Sequence, residues 1–282
     1  MKTWELPAFG LENVTLGEAE KPTAGPGQVL VEFKAASINY RDFLVANGLY
    51  NPNISLPIVP VSDGAGDVVA IGDGVTNFKV GDRVTPLFFP NWDDGLGTWA
   101  KRGVSIGCEA PGVLREFGAY DESAVITFPD YMSYEEAACL PIAGLTAWSA
   151  LTTWCGVKEG DTVLTQGTGG VSLFVLQFAK AMGCQVIATS SSDDKLARVK
   201  DLGADHVINY KEVPEWGAKA AELSGGGVNA IVEVGGAGTL AQSIAACGVG
   251  GQISIIGNLA GVKTEFEILP VVGKNISIHG QT

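Results

Sequence analysis

A glycine-rich turn near the middle of the chain has the composition needed to bind a phosphate group. The strand-like segment Thr162–Gln166 runs into Gly167-Thr168-Gly169-Gly170-Val171-Ser172, and apolar residues at helical spacing follow. In a G-x-G-x-x-G turn the first glycine permits the bend and the second lets a pyrophosphate approach the backbone. The start of the helix then offers free N–H groups. The motif, with Ser172 as a small third residue, predicts dinucleotide binding; the alternative is a structural turn.

The residues after the next strand indicate which dinucleotide would bind. An NAD-binding chain usually places an acid there for the ribose 2′-hydroxyl. This chain has Ser190, Ser191 and Lys195, and hydroxyls with a lysine favour a 2′-phosphate. We therefore expect NADP(H), with NAD(H) as the alternative. In a second interpretation the serines only cap the next helix, which begins near Asp193 and Asp194.

Two kinds of organisation follow each other along the chain. Up to about residue 127, short strand-like segments with frequent Gly and Pro predict a small β-barrel or sandwich. From Thr162 onward strands and helices alternate, which predicts a doubly wound parallel sheet in an α/β protein. We expect domains at 1–127 and 128–282. The six predicted strands are Thr162–Gln166, Gln185–Thr189, His206–Tyr210, Ala230–Val234, Gln252–Ile256 and Asn275–His279.

Composition excludes several classes of partner. The formal net charge of −13 disfavours nucleic acid and anionic lipid surfaces, and 46% hydrophobic residues are typical of a globular enzyme. We find neither a signal peptide pattern nor the roughly 20 apolar residues of a membrane span. Five scattered cysteines without C-x-x-C indicate a reducing compartment. We expect a cytoplasmic protein with a small-molecule substrate, no nucleic acid and no membrane partner.

Four further motifs carry a family resemblance. Asp63–Val69 (DGAGDVV), Val80–Val84 (VGDRV), Gly144–Ala147 (GLTA) and Gly203–Asp205 (GAD) occur in order around the phosphate-binding turn. Together they resemble the medium-chain dehydrogenase/reductase superfamily. The resemblance implies an N-terminal GroES-like barrel, a C-terminal Rossmann domain with an active site in the cleft between them, and a homodimer paired through the sixth strand.

The resemblance also bears on metals. The positions that match the catalytic zinc ligands of this superfamily hold Asn39, Ser62 and Ala143, and the segment after Pro86 contains only Cys108. We therefore expect no zinc. Asn39-Tyr40-Arg41-Asp42 and the Gly48-Leu49-Tyr50 segment resemble the quinone-reductase-like branch, whereas the glycine spacing of the phosphate turn is closer to zinc alcohol dehydrogenases. The C-terminus is short, since family members continue past Gly280; we expect a truncated product or a dispensable segment.

Without zinc, a carbonyl oxygen needs hydrogen-bond donors from the protein. The resemblance implies five catalytic candidates, with Tyr50 as the preferred donor, Asn39 near substrate or nicotinamide, and Asp42 one helical turn from Asn39 to orient its neighbours. Tyr50 could equally flank a turn, and Asp42 could be structural. The five are Asn39, Asp42, Tyr50, Ser62 and Thr146. In the long loop 91–112, Trp92 and Trp99 could line a substrate pocket or simply be exposed.

The expected cofactor contacts extend along the carboxyl edge of the parallel sheet. They are Thr146, Gly167, Thr168, Gly169, Gly170, Val171, Ser190, Ser191, Lys195, Tyr210, Gly235, Gly257 and Asn258. From these residues we predict a zinc-independent, NADPH-dependent reductase of quinones, enones or related carbonyl compounds. The alternatives are a zinc-independent NAD(P)-dependent alcohol dehydrogenase and a non-catalytic NADPH-binding, redox-sensing protein.

Overall fold

The chain folds into two compact units. The computed structural model describes residues 1–92 and 94–282, and these divide into Met1–Ile142 and Ala143–Thr282. The segment 128–142 belongs to the first unit because Phe128, Ala137 and Ala138 pack against Ala65. The division therefore comes after Ile142, later along the chain than the boundary expected after residue 127.

The first unit is built mainly from antiparallel strands. Valines alternate along its central strands, so that Val29, Val31, Val68 and Val84 fill one core. Its strands are β1 (Lys2–Glu5), β2 (Thr15–Glu18), β3 (Gln28–Ser37), β4 (Asp63–Ile71), β5 (Arg83–Pro86), β6 (Phe117–Asp121) and β7 (Val125–Thr127). Five of them form one sheet in the order β6-β3-β4-β5-β7, and β1 pairs with β2.

Short α-helices complete the described part of the first unit. They are α1 (Tyr40–Ala46), α2 (Trp99–Arg102) and α3 (Tyr134–Ala138). The sequence Ser133-Tyr134-Glu135-Glu136 predicts a capping box, and the structure contains it: the Glu136 N–H donates to the Ser133 hydroxyl at 3.2 Å and the Ser133 N–H donates to the Glu136 carboxylate at 2.8 Å. The predicted long loop contains α2, and its Asp93 lies outside the described residues.

The second unit contains a six-stranded parallel sheet. Its strands are β8 (Thr162–Gln166), β9 (Gln185–Ser190), β10 (His206–Asn209), β11 (Val228–Glu233), β12 (Cys247–Ile255) and β13 (Ser277–Gly280). They lie in the order β10-β9-β8-β11-β12-β13, and every neighbouring pair is parallel. This is the doubly wound order, which reverses direction between β8 and β11. The sequence prediction of a doubly wound parallel sheet is confirmed.

Helices connect the strands of this sheet. They are α4 (Leu145–Ser149), α5 (Gly170–Ala181), α6 (Asp193–Asp201), α7 (Trp216–Leu223), α8 (Leu240–Ala246) and α9 (Ile268–Gly273). The sequence predicts a helix from about Ile142 to Trp154, and the structure has α4 there, flanked by two π-helical turns, Leu140–Gly144 and Ala150–Trp154. Among the described residues, no helix combines the length and the apolar character that a bilayer crossing requires.

Candidate functional site

The predicted phosphate-binding turn joins β8 to α5. Gly167 has φ +71°, a left-handed conformation that favours glycine, and its N–H donates to the Thr189 carbonyl at 2.8 Å. Gly169 has φ −77° and ψ 175°, which any residue can adopt. A Cβ placed on Gly169 would meet no atom within 4 Å. The fold thus requires glycine at 167, whereas the space above Gly169 is open.

The third residue of the motif fixes the helix to the strand. Ser172 is buried, and its hydroxyl donates to the Gln166 carbonyl at 2.6 Å. Thr168 and Val171 are half-buried beside the open space at Gly169. The N–H groups in the first turn of α5 have no intrahelical acceptor, so they can serve an anion.

A buried carboxylate that sequence reasoning missed lies next to this turn. Glu233, the last residue of β11, is fully buried and accepts five hydrogen bonds from neutral groups. Its donors are Gly235 N (2.8 Å), Gly236 N (2.9 Å), Thr239 Oγ1 (2.5 Å), Gln166 Nε2 (2.7 Å) and Ser243 Oγ. Gln166 also accepts the Gly235 N–H at 3.3 Å. This network ties the strand before the phosphate-binding turn to the loop after β11.

One signal in the sequence could have revealed this network. Glu233 ends the otherwise apolar run Ala230-Ile231-Val232, where an unpaired charge would be costly to bury. Such a carboxylate must find donors, and Gln166 occupies the corresponding end of the adjacent strand.

The residues predicted to select the cofactor end β9 and begin α6. Ser190 is 4% exposed, and its hydroxyl accepts the Ser192 N–H at 3.4 Å. Ser191 is half-buried and Lys195 is exposed. Ser192 makes no side-chain capping hydrogen bond to α6. The interpretation of the serines as mere helix caps therefore lacks its expected contact.

The remaining predicted cofactor residues are spread along the second unit. Gly235 and Gly257 each have a packing reason to be glycine, because a Cβ would collide with Thr239 Oγ1 or with the Val234 carbonyl oxygen. Tyr210 and Asn258 are exposed. Thr146 is half-buried in α4, and its carbonyl accepts a hydrogen bond from Gln281 at 2.9 Å. Their roles toward a cofactor stay predictions.

In the first unit, Asn39 and Asp42 meet at the start of α1. The Asn39 N–H donates to Asp42 Oδ2 at 2.8 Å, and the Ser62 N–H also hydrogen-bonds this carboxylate. Burial raises the pKa of Asp42, against the opposing effect of these hydrogen bonds and of Arg41. Among the described residues, Asn39 Nδ2 and Asp42 Oδ1 are buried without a hydrogen-bond partner. Polar atoms left in this way are ready to bind water or a ligand.

A second carboxylate is buried beside this pair. Asp63 is fully buried, accepts the Ser62 hydroxyl at 3.0 Å and accepts the Ile142 N–H at 3.0 Å. Burial raises its pKa to about 7. Ser62 is itself fully buried and its hydroxyl is engaged, so this structure gives no support to direct contact with substrate. The predicted catalytic role of Ser62 stays a prediction.

Tyr50 lies near these residues through Arg41. The Arg41 guanidinium stacks 4.8 Å from the Tyr50 ring centroid and 4.7 Å from that of Phe88. Tyr50 is 41% exposed, and its hydroxyl donates to no described residue. The first unit thus brings Asn39, Asp42 and Ser62 together with Tyr50 nearby, while the fifth catalytic candidate lies in the second unit. Of the two loop tryptophans, Trp92 is half-buried and Trp99 is exposed.

The residues at the matching zinc positions do not fit zinc. Asn39 offers an amide, Ser62 a hydroxyl already donated to Asp63, and Ala143 no donor atom at all. Within residues 1–92 and 94–282, no three His, Cys, Asp or Glu side chains are grouped to hold a metal ion. Cys108, buried and beside Glu109, has its pKa raised to about 12.

Two family models match the chain. Residues 25–142 match the alcohol dehydrogenase GroES-like domain, and residues 170–282 match the zinc-binding dehydrogenase domain. These matches fall in the first and second unit, respectively, and confirm the fold class expected from the sequence.

Curated proteins and solved structures resemble the whole chain. The zinc-type alcohol dehydrogenase-like protein of Schizosaccharomyces pombe is 42% identical over 96% of this chain and 81% of its own length. The chloroplastic quinone oxidoreductase of Triphysaria versicolor is 36% identical over 80% of this chain and 64% of its own length. A mycobacterial protein complexed with NADPH has a TM-score of 0.82 and 29% identity, covering 100% of this chain and 81% of its own.

Proposed function

This chain belongs to the medium-chain dehydrogenase/reductase superfamily, and on that premise we propose that it is a zinc-independent, NADPH-dependent reductase of quinones, enones or related carbonyl compounds. The observation that carries the proposal is the open space at Gly169, in a glycine-rich turn at the start of a twelve-residue helix. The relative complexed with NADPH and the quinone oxidoreductase relative support the cofactor and the substrate class, respectively.

The second unit would hold the cofactor. The N–H groups at the start of α5 would bind its pyrophosphate, close to Gly169. Ser191 and Lys195 would bind the 2′-phosphate, with Ser190 supporting the loop from within. When bound, the nicotinamide supplies the hydride that the substrate receives. The network around Glu233 keeps the two strand ends beside this turn in fixed positions.

The first unit would polarise the substrate. The exposed Tyr50 hydroxyl would donate a hydrogen bond to the substrate oxygen and stabilise the negative charge that develops there. The Asn39 Nδ2 group, which has no hydrogen-bond partner among the described residues, would offer a second donor. Because the residues at the matching zinc positions cannot act as a normal ligand set, these donors take the place of a Lewis acid.

A zinc-independent alcohol dehydrogenase is the second candidate. The name of the Schizosaccharomyces pombe relative favours it. A non-catalytic NADPH-binding protein is the third, since Asn39, Asp42, Ser62 and Tyr50 include no His, Lys or Cys side chain that could serve as a proton donor to the substrate. Rates of NADPH oxidation with an ortho-quinone and with an enal, and of NADP+ reduction with an alcohol, separate the three. Tight NADPH binding without turnover would favour the third candidate.

Two further predictions concern the cellular location and the oligomeric state of the protein. Five free thiols support a reducing, cytosolic location. β13 ends the order of the six-stranded sheet, with an edge available for pairing with β13 of a second copy, so we expect a homodimer. Sedimentation would measure its mass.

The cofactor site can be tested with Gly169→Val. The valine side chain fits the empty space and strains no backbone, so the fold should remain intact. It would occupy the room needed by a pyrophosphate, and NADPH affinity should fall by about tenfold or more, which is about 1.4 kcal/mol. Fluorescence titration measures the affinity and thermal unfolding checks the fold.

Gly17→Val is the matched control, because Gly17 also has open space at its Cβ position and lies in β2. It should leave NADPH affinity unchanged. If Gly169→Val binds NADPH as tightly as this control, the assignment of the turn is wrong.

Cofactor choice can be tested with Ser190→Asp. A carboxylate at the end of β9 would repel a 2′-phosphate and accept a ribose hydroxyl, so the preference should shift toward NADH. We expect the ratio of the two affinities to change by about tenfold. Lys200→Ala, in the same helix as Lys195 but bound to the Asp205 carbonyl, serves as the control. An unaltered ratio would remove Ser190 from the site.

A further inference from the structure

Arg41 is an unusual residue for the interior of the first unit. It is 9% exposed, and its guanidinium lies between the rings of Tyr50 and Phe88. Among the described residues its ion-pair partner is Asp42, whose Oδ1 lies 3.8 Å from Nη1. This pair is long, and the hydrogen bonds of the guanidinium go to neutral acceptors while its charge faces two aromatic rings.

The two ends of the guanidinium are held by one segment. Nη1 donates to the Ile106 carbonyl at 2.8 Å, and Nη2 donates to the Ser105 hydroxyl at 2.6 Å. The Ser105 hydroxyl in turn donates to Glu109 Oε2 at 2.6 Å. These contacts fix the guanidinium, and so the position of the cation over the Tyr50 ring.

The same chain of contacts returns to the residue after Tyr50. Asn51 Nδ2 donates to Glu109 Oε1 at 2.9 Å. Burial alone would raise the pKa of Glu109, but the hydrogen bonds from Ser105, Asn51 and Cys108 outweigh it and lower the pKa to about 2. Glu109 is thus a carboxylate at neutral pH. The network that runs from Arg41 through Ser105 to Glu109 therefore contacts two consecutive residues: Arg41 contacts Tyr50, and Glu109 accepts a hydrogen bond from Asn51.

We propose that Arg41 is a positioning residue for the reduction, and that it sets where the Tyr50 hydroxyl stands by stacking on its ring. This rests on the proposed function, in which Tyr50 is the donor to the substrate oxygen. A lysine retains the charge but has neither a plane to stack nor a fork that reaches both Ile106 and Ser105. Arg41→Lys therefore removes the orientation of Tyr50 while keeping the charge.

The chain offers a close control. Arg83 also contacts two rings, with its guanidinium carbon 4.5 Å from the Phe128 centroid and 4.4 Å from the Tyr134 centroid, and its Nη atoms donate to two carbonyl groups. It is remote in sequence from the Tyr50 network. Arg83→Lys should lose a comparable stack and comparable hydrogen bonds without any effect on Tyr50.

The test compares Arg41→Lys, Arg83→Lys, Tyr50→Phe and the double variant Arg41→Lys/Tyr50→Phe by kcat, by KM for an ortho-quinone and by the Kd for NADPH. Tyr50→Phe should lower kcat by about a hundredfold, and Arg41→Lys by about tenfold, with the Kd for NADPH unchanged.

The double variant should be no slower than Tyr50→Phe. Arg83→Lys should keep the wild-type kcat. Additive losses in the double variant, or an equal loss in Arg83→Lys, would overturn the proposal.

A measurement that needs no turnover separates this proposal from the proposed function. The six tyrosines can be replaced by 3-fluorotyrosine, and the Tyr50 resonance is identified by its absence in Tyr50→Phe. Arg41→Lys should shift or split that resonance, whereas Arg83→Lys should leave it alone. An unmoved Tyr50 resonance overturns the positioning role whether or not the protein reduces quinones. A moved resonance in a protein that turns over no substrate overturns only the proposed function.

Discussion

The two units bury their charged residues in opposite ways. In the second unit Glu233 is fully buried without a cation among its partners, yet five neutral donors satisfy it. In the first unit Arg41, Asp42 and Asp63 are buried together, and Asn39 Nδ2, Asp42 Oδ1 and Arg41 Nε are left without partners among the described residues. A satisfied carboxylate is a framework element, whereas a cluster with unused polar atoms is suited to receive a ligand.

The largest effect should come from breaking the satisfied network. Glu233→Leu removes the shared acceptor of five donors in the core, and the free energy of unfolding should fall by about 3 to 5 kcal/mol. Glu233→Gln places an NH2 group next to donors, and it should lower the free energy of unfolding by about 2 kcal/mol. Urea denaturation measures both values.

Glu222→Gln provides the reference for Glu233, because Glu222 is mostly exposed and its ion pair among the described residues is with Lys219. Glu222→Gln should lower the free energy of unfolding by less than about 0.5 kcal/mol. Were Glu233→Leu as mild as this reference, the network would not hold the strand ends together.

The next effect concerns the pH dependence that Asp63 introduces. Its pKa is raised from 3.8 to about 7 in the folded chain, so between these values unfolding releases a proton. The stability that this proton provides is complete below pH 3.8 and is lost as the pH rises through 7, by up to about 1.4 kcal/mol per pH unit. Asp63→Asn should remove this slope.

Unfolding free energies measured from pH 5 to pH 8 test the assignment. Wild type should lose stability relative to Asp63→Asn as the pH rises. A constant difference over this range would show that Asp63 does not titrate there. Glu109, with its pKa near 2, contributes its stability above pH 4.5 and loses it only on the acid side, outside this range.

The smallest effect should come from Asp42→Asn. Burial disfavours the Asp42 carboxylate, and an amide oxygen could still accept the Asn39 N–H. We expect a change within about 1 kcal/mol in the free energy of unfolding, measured by urea denaturation. If Asp42→Asn lowered the free energy of unfolding as much as Glu233→Leu, the two buried carboxylates would not differ in how much they stabilise their units.

Local patterns predicted the fold well. The alternation of strands and helices after Thr162 and the capping box at Ser133 depend on neighbours along the chain, and the structure contains both. The two polar networks were not predictable in the same way. Gln166 and Glu233 are 67 residues apart, and Arg41 and Ser105 are 64 apart, so only tertiary packing makes them partners.

For the candidate site, too, the features that depend on neighbouring residues could be predicted and those that depend on long-range packing could not. The glycine turn is contained in six consecutive residues, and its backbone has the expected form. The burial of Ser62 and the engagement of its hydroxyl by Asp63 depend on how β4 packs in the first unit. Side-chain identity alone gives no measure of such packing.

The contrast between Gly167 and Gly169 has a wider use. The first is glycine because the polypeptide itself bends there, and the second is glycine although its own polypeptide has no need of it. A glycine that the backbone itself does not require is expected where a bound ligand needs the room that a side chain would fill. In other folds, glycines with ordinary dihedral angles and open space at the Cβ position are candidates for places where a ligand approaches the backbone.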